Sequence, residues 1–272
     1  MIKGYQNLHA HTKYCDGAFS AEEMVKAAIR FGGGSIGFSE HSYVPFDEEY
    51  SMMPEDTPSY INEINELKKK YKGEIDIFLG LELDYFTEKT PEGLDYTIGA
   101  VHHTEKNGQF ITIDGWAEHL ANMSELHFNG DYYSMAEAYF ATAANVADKT
   151  GADIIAHFDL IAKNNVNNSM FDEEHPRYTG AAISAMEQIL KTCKLFEVNT
   201  GAMFRRGSSK PYPSLYLLKE LYKRGGEVII SGDSHTTESI YFKYDEMIDL
   251  VKSCGFKYIK RLTDEGFVEE KI

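Results

Sequence analysis

The sequence predicts an α/β protein in which strands and helices alternate, and a parallel (β/α) barrel fits this pattern better than an open sheet. Short apolar runs recur along the 272 residues. They are continuous rather than alternating, which is typical of parallel strands covered on both faces. Strand–helix units repeated over this length favour a barrel. Because no Pro/Gly/Ser-rich linker or internal repeat interrupts the chain, we interpret residues 1–272 as a single domain.

Eight apolar runs are the candidate strands, at residues 7–9, 35–38, 75–81, 96–101, 153–156, 195–198, 227–230 and 258–259. Candidate helices lie between them, at residues 21–31, 60–71, 134–149, 183–191, 215–224 and 246–253. Ser20 with Glu23, and Ser134 with Glu137, predict helix starts. The connections at 104–133 and 160–178 are longer than ordinary loops, so they are candidates for segments that cover a substrate.

The charge balance excludes several classes of partner. The chain has 27 basic and 43 acidic residues, a net charge of −16, and such a field repels nucleic acids and anionic membrane surfaces. No apolar run reaches the roughly 20 residues that a membrane-spanning helix needs, and the first residues lack the apolar core of a signal peptide. The three cysteines are widely spaced, which argues against a disulfide framework. We therefore expect a soluble, cytoplasmic protein.

Histidines and carboxylates concentrate where the candidate strands end. The carboxyl ends of parallel strands in an α/β fold meet on one face, where catalytic groups collect. Six strand ends bring such residues: His9, His11, Asp16, His41, Glu82, His102, His157, Asp233 and His235. A single histidine at a strand end is more often a structural residue held by hydrogen bonds, but six such ends in one chain predict a metal site.

The types and spacing of these residues define the kind of metal site. Residues i and i+2 of a strand point the same way, so His9 and His11 can bind one ion, as can Asp233 and His235. Imidazole and carboxylate ligands without thiolate suit zinc, iron or manganese. Nine ligands are too many for a single ion, so we expect two or three divalent transition-metal ions with a carboxylate such as Glu82 as a bridge.

Taken in order along the whole chain, these residues resemble the signature of the PHP (polymerase and histidinol phosphatase) family. The matching elements are a His-x-His with a nearby Asp, a second-strand His, a third-strand Glu, two further His and a closing Asp-x-His. The resemblance implies a distorted seven-stranded (β/α) barrel, TIM-like, with a trinuclear metal centre. It also implies three ligand groups: His9, His11, Glu82 and Asp233; Glu82, His102 and His157; and Asp16, His41 and His235.

A closer resemblance within the family concerns the substrate. Residues 196–205 and 210–213, and the stretch from 156 to 163, are similar to the corresponding segments of monofunctional histidinol phosphatases. This likeness implies hydrolysis of L-histidinol phosphate, a small phosphate monoester, to L-histidinol and phosphate in histidine biosynthesis.

The expected reaction assigns further roles. A hydroxide that bridges two ions is expected to attack phosphorus, with Glu82 and Asp233 orienting it. The remaining phosphoryl oxygens need cationic partners, for which the candidates are Arg205, Lys163 and Arg206. His103 is a candidate proton donor to the leaving oxygen, or a residue that only orients its neighbour.

Other functions stay open at this point. A PHP phosphoesterase acting on nucleotides or other small phosphate esters would use the same ligands. A metal-stabilised domain without activity would be marked by lost ligands, and none is missing. Amidohydrolases also use His-x-His on an α/β barrel, but the third-strand Glu and the closing Asp-x-His favour the PHP pattern. The sequence predicts no oligomeric state.

Overall fold

The structure is a computed structural model that describes residues 4–272. The strands of this part of the chain are β1 Tyr5–Asn7, β2 Gly33–Phe38, β3 Asp76–Asp84, β4 Tyr96–Ala100, β5 His103–Lys106, β6 Gln109–Thr112, β7 Ile154–Ile155, β8 Leu195–Asn199, β9 Glu227–Ser231, β10 Tyr258–Thr263 and β11 Gly266–Lys271. Its α-helices are α1 Ala21–Arg30, α2 Thr57–Lys70, α3 Ala117–Phe128, α4 Tyr132–Ala143, α5 Val146–Thr150, α6 Pro176–Ile189, α7 Gly201–Arg206, α8 Leu215–Lys223 and α9 Tyr244–Cys254.

Seven parallel strands form a nearly closed barrel, which confirms the predicted fold class. Their order is β1, β2, β3, β4, β7, β8 and β9. The two ends of this sheet meet just beyond β1 and β9, where Ala10 and Ser234 form a parallel bridge. The backbone N–H of His11 donates to the carbonyl of Ser234 at 2.9 Å, and the N–H of Ser234 donates to the carbonyl of His9 at 2.9 Å. The barrel therefore closes between residues near opposite ends of the sequence.

Tyr96 fills the middle of the barrel, and two glycines on neighbouring strands make room for its ring. Its hydroxyl donates to the carbonyl oxygens of Leu8 and Phe38. A Cβ atom at Gly80 would lie 2.3 Å from Cζ of Tyr96, and one at Gly37 would lie 2.5 Å from the Tyr96 hydroxyl oxygen. Both distances are far below a carbon contact distance, so the small residues in these strands are required by packing.

The run at 258–259 was expected to be another parallel strand, and this is wrong. Residues of this run open β10, which pairs antiparallel with β11 in a hairpin outside the barrel sheet. The hairpin packs below β1: the side chain of Gln6 donates to the carbonyl of Leu262 at 3.0 Å and accepts from its N–H at 2.8 Å. The buried side chain of Leu262 belongs to the same apolar cluster as Leu8 and Tyr96. The hairpin thus covers the amino-terminal end of the barrel.

The helix expected at 134–149 is two helices, α4 and α5, and it does not start at Ser134. The side chain of Asp131 accepts from the N–H groups of Tyr133 and Ser134, so Asp131 is the cap. A break at Asn145 separates the two helices. By contrast, the capping box of Ser20 and Glu23 is present at the start of α1. Asp and Ser are equally good caps, so the pattern alone did not distinguish them.

The two long connections lie beside the carboxyl end of the barrel. Residues 104–133 include the hairpin β5–β6 and helix α3, and residues 160–178 include two short 3₁₀ turns. Asp114 and Trp116 from the first connection and Lys163 from the second line the cavity described below. That they cover a substrate stays a prediction. Within residues 4–272, none of the helices combines the length and the apolar character that crossing a bilayer requires.

Candidate active site and metal centre

All nine residues predicted as metal ligands lie together at the carboxyl end of the barrel, with Glu82 at their centre. Oε2 of Glu82 is 2.8 Å from Nδ1 of His41 and 3.3 Å from Nε2 of His9. Oε1 is 3.0 Å from Nε2 of His157 and 3.5 Å from Nε2 of His102. Burial alone would raise the pKa of Glu82, but the charges of these histidines hold it well below its usual value. Four imidazoles therefore lie within 3.5 Å of this one carboxylate, and Nε2 of His11 is 3.7 Å from Oε2.

Two further carboxylates complete the group. Oδ1 of Asp233 is 3.5 Å from Nε2 of His11 and 3.5 Å from Nδ1 of His235. Oδ2 of Asp16 is 3.0 Å from Nε2 of His235, and its Oδ1 is 3.7 Å from Nε2 of His41. Asp16 is the most exposed of the three carboxylates, with 35% of its side chain accessible. The group thus runs from a fully buried floor at Glu82 to a solvent-facing edge at Asp16.

The register of the barrel closure positions four of these side chains. His9 and His11 flank Ala10, and Asp233 and His235 flank Ser234, so the bridge between Ala10 and Ser234 places the two pairs side by side. Alternate residues of an extended chain point the same way, so His9 and His11 share one face. Asp233 is not extended, with a φ of 45°, and the contacts of Asp233 with His11 and of His235 with Asp16 show that this pair faces the same interior. A shift of one residue in either segment would turn its pair away.

Four buried side-chain atoms in this group have no hydrogen-bond partner among the described residues: Nε2 of His9, Nε2 of His11, Nδ1 of His157 and Oε2 of Glu82, which lies close to Nδ1 of His41 without forming a hydrogen bond to it. Unpaired polar atoms in a protein interior are costly. Burial and the charges of His235 and His41 lower the pKa of His11 to about 3, so its imidazole is neutral and has a lone pair to share. Imidazole nitrogens and carboxylate oxygens around one point are the donor set of zinc, iron or manganese. The residues therefore fit divalent metal ions.

Four groups of side chains have ligand atoms that all lie within 4.8 Å of one another, close enough to share a cation. They are His11, Asp16, His41 and His235; His9, His11 and Asp233; His41, Glu82 and His102; and His11, Cys15 and Glu40. The grouping differs from the expected one because His41 lies beside Glu82 as well as beside Asp16. The assignment of each residue to a particular ion stays a prediction.

Behind the histidines lies a layer of buried carboxylates that the sequence analysis did not identify. Oε2 of Glu197 is 2.8 Å from Nδ1 of His9, and Oδ2 of Asp84 is 3.1 Å from Nδ1 of His102. Glu197 also accepts from the N–H of His157 at 2.6 Å. Carboxylates in this position fix the ring orientation and tautomer of metal-binding histidines. Asp84 could have been found, because it follows Glu82 by two residues on β3 and so shares its face.

A cavity of about 270 Å³ opens above the group and receives the predicted cationic residues. Arg205, on α7, donates to the backbone and carboxylate of Asp233 and lies 2.8 Å from Nδ1 of His235. Lys163 is nearly buried, with 10% of its side chain accessible, and forms an ion pair with Asp114. Burial lowers the pKa of Lys163, and the Asp114 charge opposes that effect. All of these side chains border the cavity.

Arg206 and Trp116 form the outer rim of the cavity. The guanidinium carbon of Arg206 is 4.9 Å from the centre of the Trp116 ring, and Nη1 donates to the Asn164 side chain at 3.0 Å. Trp116 is 75% exposed although it is apolar. Trp116 and Asp114 were not singled out from the sequence, because the length of residues 104–133 predicts a covering segment but does not show which of its side chains reach the cavity.

His103 does not border the cavity that its neighbour His102 lines. Its Nε2 is 2.9 Å from Oδ2 of Asp47, its ring packs edge-on against Phe46, and its side chain is buried. The structure therefore does not place His103 where a leaving oxygen would lie, and its role as a proton donor stays a prediction.

The fold and the site together define an α/β-barrel protein with a candidate metal centre at the carboxyl ends of the strands. The chain belongs to the PHP domain family, whose model matches residues 7–201. The resemblance inferred from the ligand order is thereby confirmed.

Individual relatives agree with this assignment. The chain is 28% identical to a "Probable histidinol-phosphatase" of Schizosaccharomyces pombe, over 86% of this chain and 81% of the relative. It is 23% identical to the histidinol-phosphatase of Bacillus subtilis, over 89% of this chain and 97% of the relative. The crystal structure of histidinol phosphate phosphatase from Lactococcus lactis, in complex with zinc, L-histidinol and phosphate, superposes with a TM-score of 0.71 at 20% identity, covering 97% of this chain and 98% of that chain.

Proposed function

We propose that this protein is a metal-dependent phosphatase that hydrolyses L-histidinol phosphate to L-histidinol and phosphate. The observation that carries the proposal is the convergence of the nine candidate ligand residues, which bear nitrogen or oxygen donors, beneath a cavity lined by Arg205 and Lys163. A phosphate monoester needs both: a cationic floor and cationic side chains for the remaining oxygens. The histidinol-phosphatase names of its relatives agree with this substrate.

The predicted ligands would hold two or three divalent ions: His9, His11, Asp16, His41, Glu82, His102, His157, Asp233 and His235. Divalent cations bound there would neutralise the charge of the phosphate and lower the pKa of a water molecule. Glu82 lies within 3.5 Å of four of the histidines and Asp233 within 3.5 Å of two more, so these carboxylates would fix the spacing of the ligand groups. Glu197 and Asp84 hold the rings of His9 and His102 in place.

The cationic side chains would bind the phosphoryl oxygens. Arg205 is held against Asp233 yet keeps 34% of its side chain accessible, so part of the guanidinium still faces the cavity. Lys163 lies deeper and Arg206 lies at the rim. Together they surround the position that a phosphate would take above the histidines. Lys163 and Arg206, the other two candidate phosphate-binding residues, therefore lie at different depths of the same cavity.

The rest of the cavity suits an organic group that carries positive charge. Asp114 borders the cavity with 40% of its side chain accessible, and its carboxylate complements an ammonium. Trp116 offers an exposed aromatic face at the rim. Histidinol phosphate carries an ammonium and an imidazole. Asp114 would complement the ammonium, and the aromatic face of Trp116 would contact the imidazole. A nucleotide, the alternative substrate class, has no ammonium to pair with Asp114.

Phosphate release from a panel of monoesters tests this proposal. The purified protein is loaded with zinc, manganese or iron, its metal content is measured, and histidinol phosphate, nucleoside monophosphates and p-nitrophenyl phosphate are compared. We expect kcat/KM for histidinol phosphate to exceed the others by at least about 100-fold, and chelation to abolish turnover. Equal rates on all monoesters would contradict the substrate, and a preference for nucleotides would favour the alternative.

A further inference from the structure

Glu40 is a fully buried carboxylate at the end of β2 to which the proposed reaction gives no role. Its Oε1 accepts from the hydroxyl of Thr12 at 2.7 Å. Its Oε2 accepts from the N–H of Thr12 at 3.0 Å and from the thiol of Cys15 at 2.8 Å. Three donors thus converge on two oxygens. Burying a carboxylate is expensive unless it is well paired, so a folded protein that keeps one in its interior usually uses it.

The thiol connects Glu40 to a predicted metal ligand. Sγ of Cys15 lies 2.8 Å from Oε2 of Glu40, 3.4 Å from Oδ1 of Asp16 and 3.4 Å from Nδ1 of His11. Glu40 is the nearest acceptor for the S–H, and with the proton directed there the sulfur presents its lone pairs to Nδ1 of His11. The other ring nitrogen, Nε2, is buried without a hydrogen-bond partner. It lies 3.5 Å from Oδ1 of Asp233 and 3.7 Å from Oε2 of Glu82. A neutral imidazole has a single N–H, so an acceptor at Nδ1 leaves the lone pair on Nε2.

The other histidines of the centre show what such a partner does. Glu197 contacts Nδ1 of His9 directly, and Asp84 contacts Nδ1 of His102 directly. His11 has a third buried carboxylate in the corresponding direction, but a thiol lies between the two. The nearest carboxylate oxygen to Nδ1 of His11, Oδ1 of Asp16, is 4.0 Å away, too far for a hydrogen bond.

We propose that Glu40 is a positioning residue of the metal centre and that it acts on His11 through the thiol of Cys15. Glu40 orients the S–H bond, the sulfur accepts the Nδ1–H of His11, and Nε2 is left free to bind a cation. This inference rests on the cation-binding role of His11 in the proposed function and is independent of which phosphate ester is the substrate.

Substitutions at Cys15 separate positioning from packing. Cys15→Ala removes both hydrogen bonds, whereas Cys15→Ser keeps a group that can donate to Glu40 and accept from His11. Glu40→Gln keeps the shape and removes the charge. Cys193→Ala is the control, because Cys193 is also a free thiol but is buried outside the site, whereas Cys15 is half-buried. A purely structural role would lower the unfolding temperature in Cys15→Ala and Cys193→Ala alike, with no selective effect on metal binding.

The measurement is zinc affinity of the purified protein, by competition with a chromogenic chelator, together with zinc bound per chain. Removing an outer partner of a metal-binding histidine costs about 10–100-fold in affinity. We therefore expect a loss of that size for Cys15→Ala and Glu40→Gln, recovery to within about threefold for Cys15→Ser, and no change for Cys193→Ala. Long-range ¹H–¹⁵N spectra of the metal-free protein should show His11 protonated at Nδ1 in wild type and in Cys15→Ser.

Three results would overturn the inference. The first is wild-type zinc affinity in Cys15→Ala. The second is failure of Cys15→Ser to recover what Cys15→Ala loses. The third is a thiolate-to-cobalt charge-transfer band in the cobalt-substituted protein, which would make Cys15 a metal ligand. A protein that binds zinc normally but leaves histidinol phosphate intact would contradict the proposed substrate while these zinc measurements still decide the role of Glu40. A wild-type protein that binds no divalent cation would overturn both.

Discussion

Arg205 donates hydrogen bonds to both the backbone and the side chain of Asp233. Nη1 of Arg205 donates to the backbone carbonyl of Asp233 at 2.6 Å, and Nη2 donates to carboxylate Oδ2 at 2.9 Å. Asp233 has a φ of 45°, in the left-handed region that non-glycine residues seldom adopt. Such a backbone persists only where its surroundings hold it. Arg205 therefore has two tasks: it fixes a predicted metal ligand, and it presents positive charge to the cavity.

Arg205→Ala should lower kcat/KM on histidinol phosphate by about 100- to 1000-fold, because a charged donor to the phosphoryl group is lost. Arg205→Lys keeps the charge but loses the two-point contact, so its loss should be smaller and accompanied by weaker zinc binding. Steady-state kinetics in saturating zinc measure the first effect, and Arg224→Lys, on the surface ion pair with Glu187, is the control. Full activity of Arg205→Ala once zinc saturates would contradict the phosphate-binding role.

Glu82→Gln should leave a folded protein that binds less metal and has lost its activity. The carboxylate lies within 3.5 Å of four histidines. An amide retains its shape but lacks the negative charge that would bind cations. We expect kcat/KM to fall more than about 100-fold, beyond what changes in outer partners produce. Elemental analysis and circular dichroism of the same sample check this. An unfolded variant would instead indicate a structural role for the metal centre.

Asp131 should stabilise the protein only above mildly acidic pH. Its hydrogen bond with Arg177 lowers its pKa from 3.8 to about 2. The carboxylate therefore contributes stability that is present above about pH 4 and is lost as the pH falls from 4 towards 2. The unfolding free energies of wild type and Asp131→Asn should accordingly converge over this interval in denaturation experiments at a series of pH values.

Two substitutions at Asp131 separate the stability contributed by the α4 cap from that contributed by the ion pair with Arg177. Asp131→Asn keeps a cap acceptor and loses only a half-exposed pair, worth about 0.5 kcal/mol or less. Asp131→Ala loses the cap as well, which costs about 1 kcal/mol more. Equal stability of the two variants at pH 7 would show that capping contributes nothing here.

Gly80→Ala should destabilise the barrel by about 1–3 kcal/mol, because the added methyl group collides with the Tyr96 ring in a packed interior. Gly180→Ala is the matched control: Gly180 lies within α6 and a Cβ there meets nothing within 4 Å. Alanine is the better helix former, so this change should stabilise by up to about 1 kcal/mol. Urea titration measures both; a neutral Gly80→Ala would mean that β3 can shift away from Tyr96.

The barrel and the clustering of the candidate ligands could be predicted because both leave local signals. The strands β3, β4 and β8 are continuous apolar runs, and the candidate ligands His9, His11, Asp233 and His235 follow their strands at fixed spacing. The seven barrel strands form where the sequence analysis placed them, and the nine candidate residues lie together at the strand ends; their binding of metal stays a prediction. The run at 258–259 was misassigned because a short apolar run is compatible with either strand direction. Its place in a hairpin outside the barrel sheet is fixed by long-range contacts, such as those of Leu262 with Gln6.

The outer carboxylates were missed for a different reason. Glu197 lies inside an apolar strand, and Glu40 directly precedes the predicted ligand His41 without a spacing pattern of its own. Their roles depend on distances across the barrel, such as that from Glu197 to His9, which no local pattern encodes. Likewise Asp114 and Trp116 meet Lys163 and Arg206 only because two long connections fold over the same opening.

The bridge between Ala10 and Ser234 has a consequence for biosynthesis. His9 and His11 are synthesised more than 220 residues before their neighbours Asp233 and His235. Until both segments are present, the bridge that closes the barrel cannot form. We therefore expect a chain truncated before Asp233 to lack two of the predicted metal ligands and to be inactive, even if most of the core forms.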